Sequence, residues 1–195
     1  RNDALTAWFA AEFSVDVERG LELFEQYHGH MERTRPQRRL QFYNNHLHHM
    51  SISQSFGPHQ QKSESSRLLD RILSKTDDDF KSSPLTDEHR FLIVTMMECA
   101  FVLDSAEHIE RVSPLVDRLE LEFDTLGSHM KVELICIRGE LAHRLGDGQN
   151  LLQQNHWRHM KRIWKRTEET STQDERVETE QRIERFKDRI GMEEE

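Results

Sequence analysis

Residues 91–103 read Phe-Leu-Ile-Val-Thr-Met-Met-Glu-Cys-Ala-Phe-Val-Leu, an almost continuously apolar run without glycine or proline. Such a run predicts an α-helix that is buried on most of its faces and forms the thickest part of the core. A bilayer takes about 20 apolar residues to span, so we expect no membrane span here. The one carboxylate in the run, Glu98, needs a partner if it is buried, and we expect Arg138 or Arg144 to supply it.

Apolar residues continue at three- and four-residue spacing on both sides of this run, with Leu40, Tyr43, Leu47 and Met50 as one example. That period is helical, and glycine or proline separates successive stretches. The sequence leaves open whether one helix begins after Asp104 or at Ser113-Pro114. We predict helices over residues 3–13 and 15–32, one from 36 to the stop at Gly57-Pro58, one ending near 75, and one over 86–103. A further helix is marked by the stripe 109–123 and ends at Gly127, and others cover 128–145, 151–166 and 172–190.

The predicted helices come in pairs of about 35–45 residues, a period typical of stacked helical repeats. We therefore predict an all-α fold of stacked antiparallel helical hairpins, an α-solenoid or helical bundle with about eight or nine helices. Residues 1–171 are expected to form the repeat domain, with a flexible boundary at 76–85, and residues 172–195 a charged terminal helix with an acidic tail. In that helix Glu178 and Arg182 have the spacing of an ion pair.

The formal net charge of -9 argues against indiscriminate binding to nucleic acid or anionic lipid. The chain has two cysteines, Cys99 and Cys136, each within an apolar helical stretch. This is not the pattern of a secreted disulfide framework. We expect both thiols to be buried and reduced, in the cytoplasm or another reducing compartment.

Within residues 86–166, two small residues and one turn resemble tetratricopeptide repeats. Ala100 and Gly139 each lie near the end of the first helix of a pair, and the turn is Leu145-Gly146-Asp147. The resemblance implies a concave surface that binds peptides or partner proteins. It assigns no binding residue to this chain.

Carboxylate and histidine pairs raise the possibility of a two-metal enzyme. Helical di-metal proteins combine glutamates with Glu-x-x-His motifs, because a three-residue step places both side chains on one helix face. The chain has two such pairs, about the number that random placement predicts, and we expect no metal, no cofactor and no catalytic residue. The residues concerned are Glu25 with His28, Glu140 with His143, Glu12 and Glu98. A further cluster, His46, His48 and His49, is expected to be a polar surface.

The most distinctive stretch is His156–Arg166, which contains five cations and no acid. Trp157, Met160 and Trp164 recur at helical spacing and predict a buried seam, with the cations around the rest of the helix. A second basic cluster, which also includes Arg33, lies near residue 36. The predicted partner-binding residues are Arg158, Lys161, Arg162, Lys165, Arg166, Arg35, Arg38 and Arg39. A solvated face without a partner is the alternative interpretation.

The leading hypothesis is a non-enzymatic helical-repeat domain that binds a protein or peptide as a regulatory or scaffolding module, and the basic residues make an acidic partner one possibility. The second is a nucleic-acid or phosphate-binding module that uses the basic helix, and the third is a di-metal carboxylate enzyme. The sequence lacks a nucleophile motif and a glycine-rich phosphate loop. It leaves homo-oligomer formation open.

Overall fold

The computed structural model describes residues 17–34, 38–54, 60–81, 84–144, 158, 162, 164–166 and 172–190. This part of the chain is helical and contains no strand, which confirms the all-α prediction. Seven α-helices have complete bounds, and two short 3-10 helices cover Asp79–Lys81 and Phe123–Thr125. The α-helices are α1 (Val17–Thr34), α2 (Arg39–Gln54), α3 (Gln60–Thr76), α4 (Asp87–Leu103), α5 (Ala106–Leu121), α6 (Ser128–Arg144) and α7 (Gln173–Ile190). The helix predicted over 3–13 lies outside the described residues.

Short polar side chains set the start of the central helices. The Thr86 hydroxyl accepts a hydrogen bond from the backbone N–H of His89, and the His89 ring accepts one from the backbone N–H of Thr86, which forms a capping box for α4. Helix α5 begins at Ala106 and contains Pro114 in its interior. The start at Ser113-Pro114 that the sequence left open is therefore excluded.

Residues 1–115 form one compact unit, with α4 at its centre. Helix α2 packs along α4, and α3 packs against both of them, so that neighbouring helices are stacked. The Thr95 hydroxyl of α4 donates a hydrogen bond to the side chain of Asn44 on α2, at 2.5 Å. The most deeply buried apolar side chains of this unit include Phe24, Tyr43, Leu47, Leu68, Leu69, Ile72, Leu92 and Met96.

His46 of α2 lies where the sequence did not place it. His46 was expected on a polar surface but is buried, with Nδ1 2.8 Å from the backbone carbonyl of Phe42. His28 is also buried and stacks on the Tyr43 ring. Both imidazoles present an apolar ring face to aromatic neighbours, and this makes burial favourable. His48 is exposed, and the His49 side chain lies outside what the structure describes.

The segment 76–85, which was predicted to contain a flexible boundary, includes a short helix. A 3-10 helix at Asp79–Lys81 buries Phe80, and Asp79 forms an ion pair with Arg39 of α2. The structure divides into compact units at 115/116, and the flexible boundary at 76–85 stays a prediction.

Residues 116–195 form the second compact unit, in which α7 packs on α6. Its apolar centre consists of Val132, Ile135 and Cys136 from α6 and Ile183 and Phe186 from α7. Helix α7 is therefore docked on α6. Arg182 is fully buried and donates to Glu133 of α6. The Glu178 side chain lies outside the described residues, so its pairing with Arg182 stays a prediction.

Candidate partner-binding surface

The cations predicted at 158–166 lie at the surface of the second unit. Arg158, Arg162, Lys165 and Arg166 are all exposed and have helical backbone conformation. Lys161, the fifth predicted cation, lies outside the described residues. The exposed set therefore contains four positive charges between residues 158 and 166.

Trp164 holds this segment against the protein. Its half-buried side chain packs on the apolar cluster that α6 and α7 share. On a helix, Trp164 lies about 200° around the axis from Arg162, so the ring and this guanidinium point to opposite sides. The predicted division into a packed seam and a charged face is thus observed for Trp164, while Trp157 and Met160 lie outside the described residues.

The support beneath Trp164 is rigid because polar bonds fix α7 on α6. The guanidinium of Arg182 donates to the Glu133 carboxylate with 2.6 Å between Nε and Oε2, and both residues are buried. One turn away, His129 Nδ1 lies 2.9 Å from the Thr179 hydroxyl. A buried ion pair of this kind fixes the register of two helices, since sliding either helix would leave a charge without its counterion.

The four exposed cations are available to a partner. Arg162 Nε donates to the backbone carbonyl of Arg158 at 3.3 Å, and the Arg162 side chain is exposed. None of the four forms an ion pair with another residue that the structure describes. Exposed guanidinium groups offer paired N–H donors that suit carboxylates and phosphates.

The second basic cluster is divided in its environment. Arg33 and Arg38 are exposed, whereas Arg39 is half-buried and engaged with Asp79. Arg35 lies outside the described residues. Arg39 therefore joins α2 to the 3-10 helix that follows α3, a structural role that the sequence did not reveal because the two residues are 40 positions apart.

The glutamates of both Glu-x-x-His pairs form ion pairs with basic side chains of the protein. Arg71 and Lys75 of α3 lie 2.8 and 3.1 Å from the Glu25 carboxylate. Partial burial alone would raise the pKa of Glu25, but the hydrogen bonds from Lys75 and Arg71 outweigh it and hold the pKa below its ordinary value. In the other pair, buried Glu140 accepts hydrogen bonds from Arg144, and His143 is exposed. Among the described residues no three His, Cys, Asp or Glu side chains converge as metal ligands would.

Arginines that were expected to pair with Glu98 bond other acids. Arg138 binds Asp117 and Glu120 of α5, and Arg144 binds Glu140. Glu98 itself is half-buried rather than enclosed in the core. Its neighbour Cys99 is fully buried, and this burial, with a smaller effect of the Glu98 carboxylate, raises the pKa of the thiol to about 12. Cys99 and Cys136 are both buried and neither is in a disulfide, as predicted.

The first unit contains a series of hydrogen-bonded polar side chains that the sequence did not predict. The Ser105 hydroxyl lies 2.6 Å from His108 Nδ1, and His108 Nε2 lies 3.2 Å from Asp70, which also binds Arg111. The order resembles a nucleophile, a base and an acid, but Thr86 and His89 make the same first contact at the start of α4. We interpret the Ser105 contact as a helix cap that Asp70 ties to α3, and its only signal in the sequence is the repeated hydroxyl-x-x-His spacing.

Beside these hydrogen-bonded side chains, a cavity of about 520 Å³ opens between α3 and α5. Its lining combines three apolar side chains with three polar ones, namely Leu73, Phe80, Leu115, Ser74, Asp77 and Arg111. Arg111 is held by Asp70, and Asp77 is held by Lys81 at 2.9 Å. Since both charged groups of the cavity are already neutralised within the protein, the exposed basic surface is the stronger candidate for a binding site.

No protein-family model, curated protein or solved structure matches this chain. In the part of the chain that the structure describes, no helix has the length and apolar character needed to cross a membrane. Function is therefore inferred from the residues and their placement.

Proposed function

We propose that this chain is a non-enzymatic helical protein that binds an acidic protein or peptide, as a regulatory or scaffolding module. The observation that carries the proposal is the division of the segment 158–166. Arg158, Arg162, Lys165 and Arg166 face solvent while Trp164 of the same segment packs on the α6–α7 core. Packing of Trp164 holds the backbone near it on the core, so a partner does not have to order this part of the chain when it binds.

A protein partner suits the charge balance better than nucleic acid does. The chain as a whole has a net charge of -9, which repels an extended phosphate backbone outside the immediate basic surface. A short acidic segment can contact four cations without meeting the rest of the molecule. Nucleic acid and free phosphate remain outcomes that the test below distinguishes.

Two further features support a repeat-like module in a reducing compartment. Ala100 and Gly139, the small residues of the tetratricopeptide resemblance, are both buried, and Gly139 lies directly against Phe186 of α7. Small residues at such positions allow helices to approach closely, as stacked repeats require. Cys99 and Cys136 are buried outside any disulfide, which fits the cytoplasm or a similar compartment.

The test uses a synthetic helix-forming peptide with glutamates four residues apart, and a control peptide with glutamines in their place. Fluorescence anisotropy would compare the wild type with Arg158→Glu/Arg162→Glu. We expect at least about a tenfold loss of affinity, because each reversal replaces an attraction by a repulsion at a desolvated contact. Binding of the wild type should also weaken as salt rises, since the charges are screened.

A matched control is Arg67→Glu/Arg185→Glu, which reverses two exposed cations outside both basic clusters and changes the net charge of -9 by the same amount. The proposal predicts that this variant binds the glutamate peptide as the wild type does. Equal weakening in both variants would show that net charge alone acts and would refute a site at 158–166. Preferential binding of a phosphate-backbone oligonucleotide over the peptide would favour the nucleic-acid alternative instead.

A further inference from the structure

We propose that the acidic partner of this surface is a second copy of the chain, which presents three acids of α7, so that the protein forms a two-fold dimer. This inference rests on the proposed function and specifies its partner. The two elements involved are the basic stripe, Arg158, Arg162 and Arg166, and the acidic stripe, Glu180, Glu184 and Asp188. All six residues are exposed and all belong to the second compact unit.

The two stripes match in spacing. Each has charges at positions i, i+4 and i+8, a pattern that keeps the three side chains along one side of a helix. At 1.5 Å per residue, eight residues extend about 12 Å in both stripes. Because the steps within each stripe are equal, the charges coincide whether the two helices meet parallel or antiparallel.

Within one chain, the described residues of the basic stripe and the acidic stripe form no ion pair with each other. No ion pair joins a residue of the basic stripe to any other described residue. In the acidic stripe, Glu184 accepts a hydrogen bond from Lys187 of the same helix at 2.7 Å, and its side chain remains 63% exposed. Among the described side chains of α7, Arg185 alone is an exposed cation, so the outer side of this helix is mainly negative.

An apolar contact extends the acidic stripe. Val177 lies one turn before Glu180 and is 46% exposed, which is unusual for a large apolar side chain of this fold. A partner helix laid along the acidic stripe would cover Val177 and remove its surface from water. The stripe therefore combines charges that select a partner with an apolar group that adds affinity.

Both stripes are present on every chain, so a two-fold arrangement pairs both of them at once and leaves neither unpaired. In an isologous interface the basic stripe of one copy meets the acidic stripe of the other, and the reverse contact occurs at the same time. The dimer thus gains two sets of three ion pairs. Each chain has a net charge of -9, so copies repel one another unless the stripes are aligned, and this favours one arrangement.

The experiment measures the mass of the intact chain by sedimentation velocity at about 50 mM salt, where the Debye length is longer than 10 Å. The wild type should sediment at twice the monomer mass of 23.3 kDa. Arg158→Glu/Arg162→Glu/Arg166→Glu and, separately, Glu180→Lys/Glu184→Lys/Asp188→Lys should each be monomeric. An equimolar mixture of these two variants should form a heterodimer, because each then carries two stripes of one sign.

A variant with all six charges reversed should dimerise again, and it retains the net charge of the wild type. Circular dichroism confirms folding of each variant, and if a triple variant is unfolded, the single changes Arg162→Glu and Glu184→Lys replace it in the mixing test. We expect each single change to raise the dimer dissociation constant about tenfold, and the mixture to reverse this. A monomeric wild type at about 100 µM, or variants whose mixture does not associate, would overturn the dimer.

Binding of the glutamate peptide distinguishes failure of the dimer proposal from failure of the proposed function. If the wild type is monomeric but binds the peptide through Arg158 and Arg162, the partner is not a second copy of the chain. The proposed function then stands with a different acidic protein or peptide as the partner. A wild type that neither dimerises nor binds the peptide overturns both proposals. Dimerisation that survives the basic-stripe reversal places the interface elsewhere and also overturns the inference.

Discussion

Replacement of Gly139 by alanine tests the close packing of α7 on α6, on which the orientation of the basic surface depends. A Cβ atom at this position would lie 2.6 Å from Cζ and 2.7 Å from Cε2 of Phe186. Ordinary contacts of a Cβ atom begin near 3.4 Å, so the ring would have to withdraw by about 0.8 Å. Phe186 is buried against Val132 and Ile183, which leaves its ring little room to move.

Two opposing effects determine the result. Overpacking a core costs about 1–3 kcal/mol, whereas alanine in a helix interior is better than glycine by about 1 kcal/mol. Gly139→Ala should therefore range from neutral to destabilising by about 2 kcal/mol. The matched control is Gly29→Ala in α1, where the nearest atom to a new Cβ is Arg33 Nη1 at 3.7 Å, an ordinary contact. This variant should gain the full helix propensity.

Urea denaturation followed by circular dichroism would give both free energies of unfolding. We expect Gly139→Ala to be less stable than Gly29→Ala by about 1–3 kcal/mol. In a Phe186→Leu background the clash is absent, and alanine at 139 should then stabilise as it does at 29. If Gly139→Ala stabilises the otherwise unchanged protein as much as Gly29→Ala does, the close approach of α7 to α6 is refuted.

Two further substitutions test ion pairs between helices. Glu133→Gln removes the carboxylate that faces the fully buried guanidinium of Arg182. Urea denaturation should show a loss of about 3–5 kcal/mol in the free energy of unfolding. A variant as stable as the wild type would mean that this ion pair is not buried. Glu25→Gln should cost less than about 1 kcal/mol at neutral pH, since the ion pair of Glu25 with Arg71 and Lys75 is partly exposed. The pKa of Glu25 is lowered in the folded state, so its contribution is present at neutral pH and is lost as the pH falls below about 4.5. Thermal melts should therefore show a weaker acid dependence for Glu25→Gln, and an unchanged pH profile would contradict the lowered pKa.

Helix positions and their ends could be predicted because their causes lie within a few residues. The apolar run 91–103 lies within α4, and the helix predicted over 128–145 is observed as Ser128–Arg144. Thr86 stands three residues before His89, which is the spacing of the capping box at the start of α4. These features depend on side-chain period and on local hydrogen bonds to the first turn, both of which the sequence displays directly.

The candidate surface was predicted for a similar reason. A segment rich in cations with Trp164 in its apolar seam suggests a packed side and a charged side, and the described residues of 158–166 have this arrangement. The acidic stripe of α7 was not foreseen, because the sequence shows acids and bases alternating along this helix. Burial turns two of its bases, Arg182 and Lys187, inward, whereas the acids of the acidic stripe stay exposed.

What the sequence by itself determined is the class of the fold, the approximate extent of its helices and the burial of both cysteines. What only the tertiary structure decided is which polar groups meet across helices. Arg182 finds Glu133 at a separation of 49 residues, and Arg39 finds Asp79 at a separation of 40. Helical period fixes which side chains share a face, but the rotation and register of one helix against another come from the packing of the whole core, and these set the partner of each buried charge.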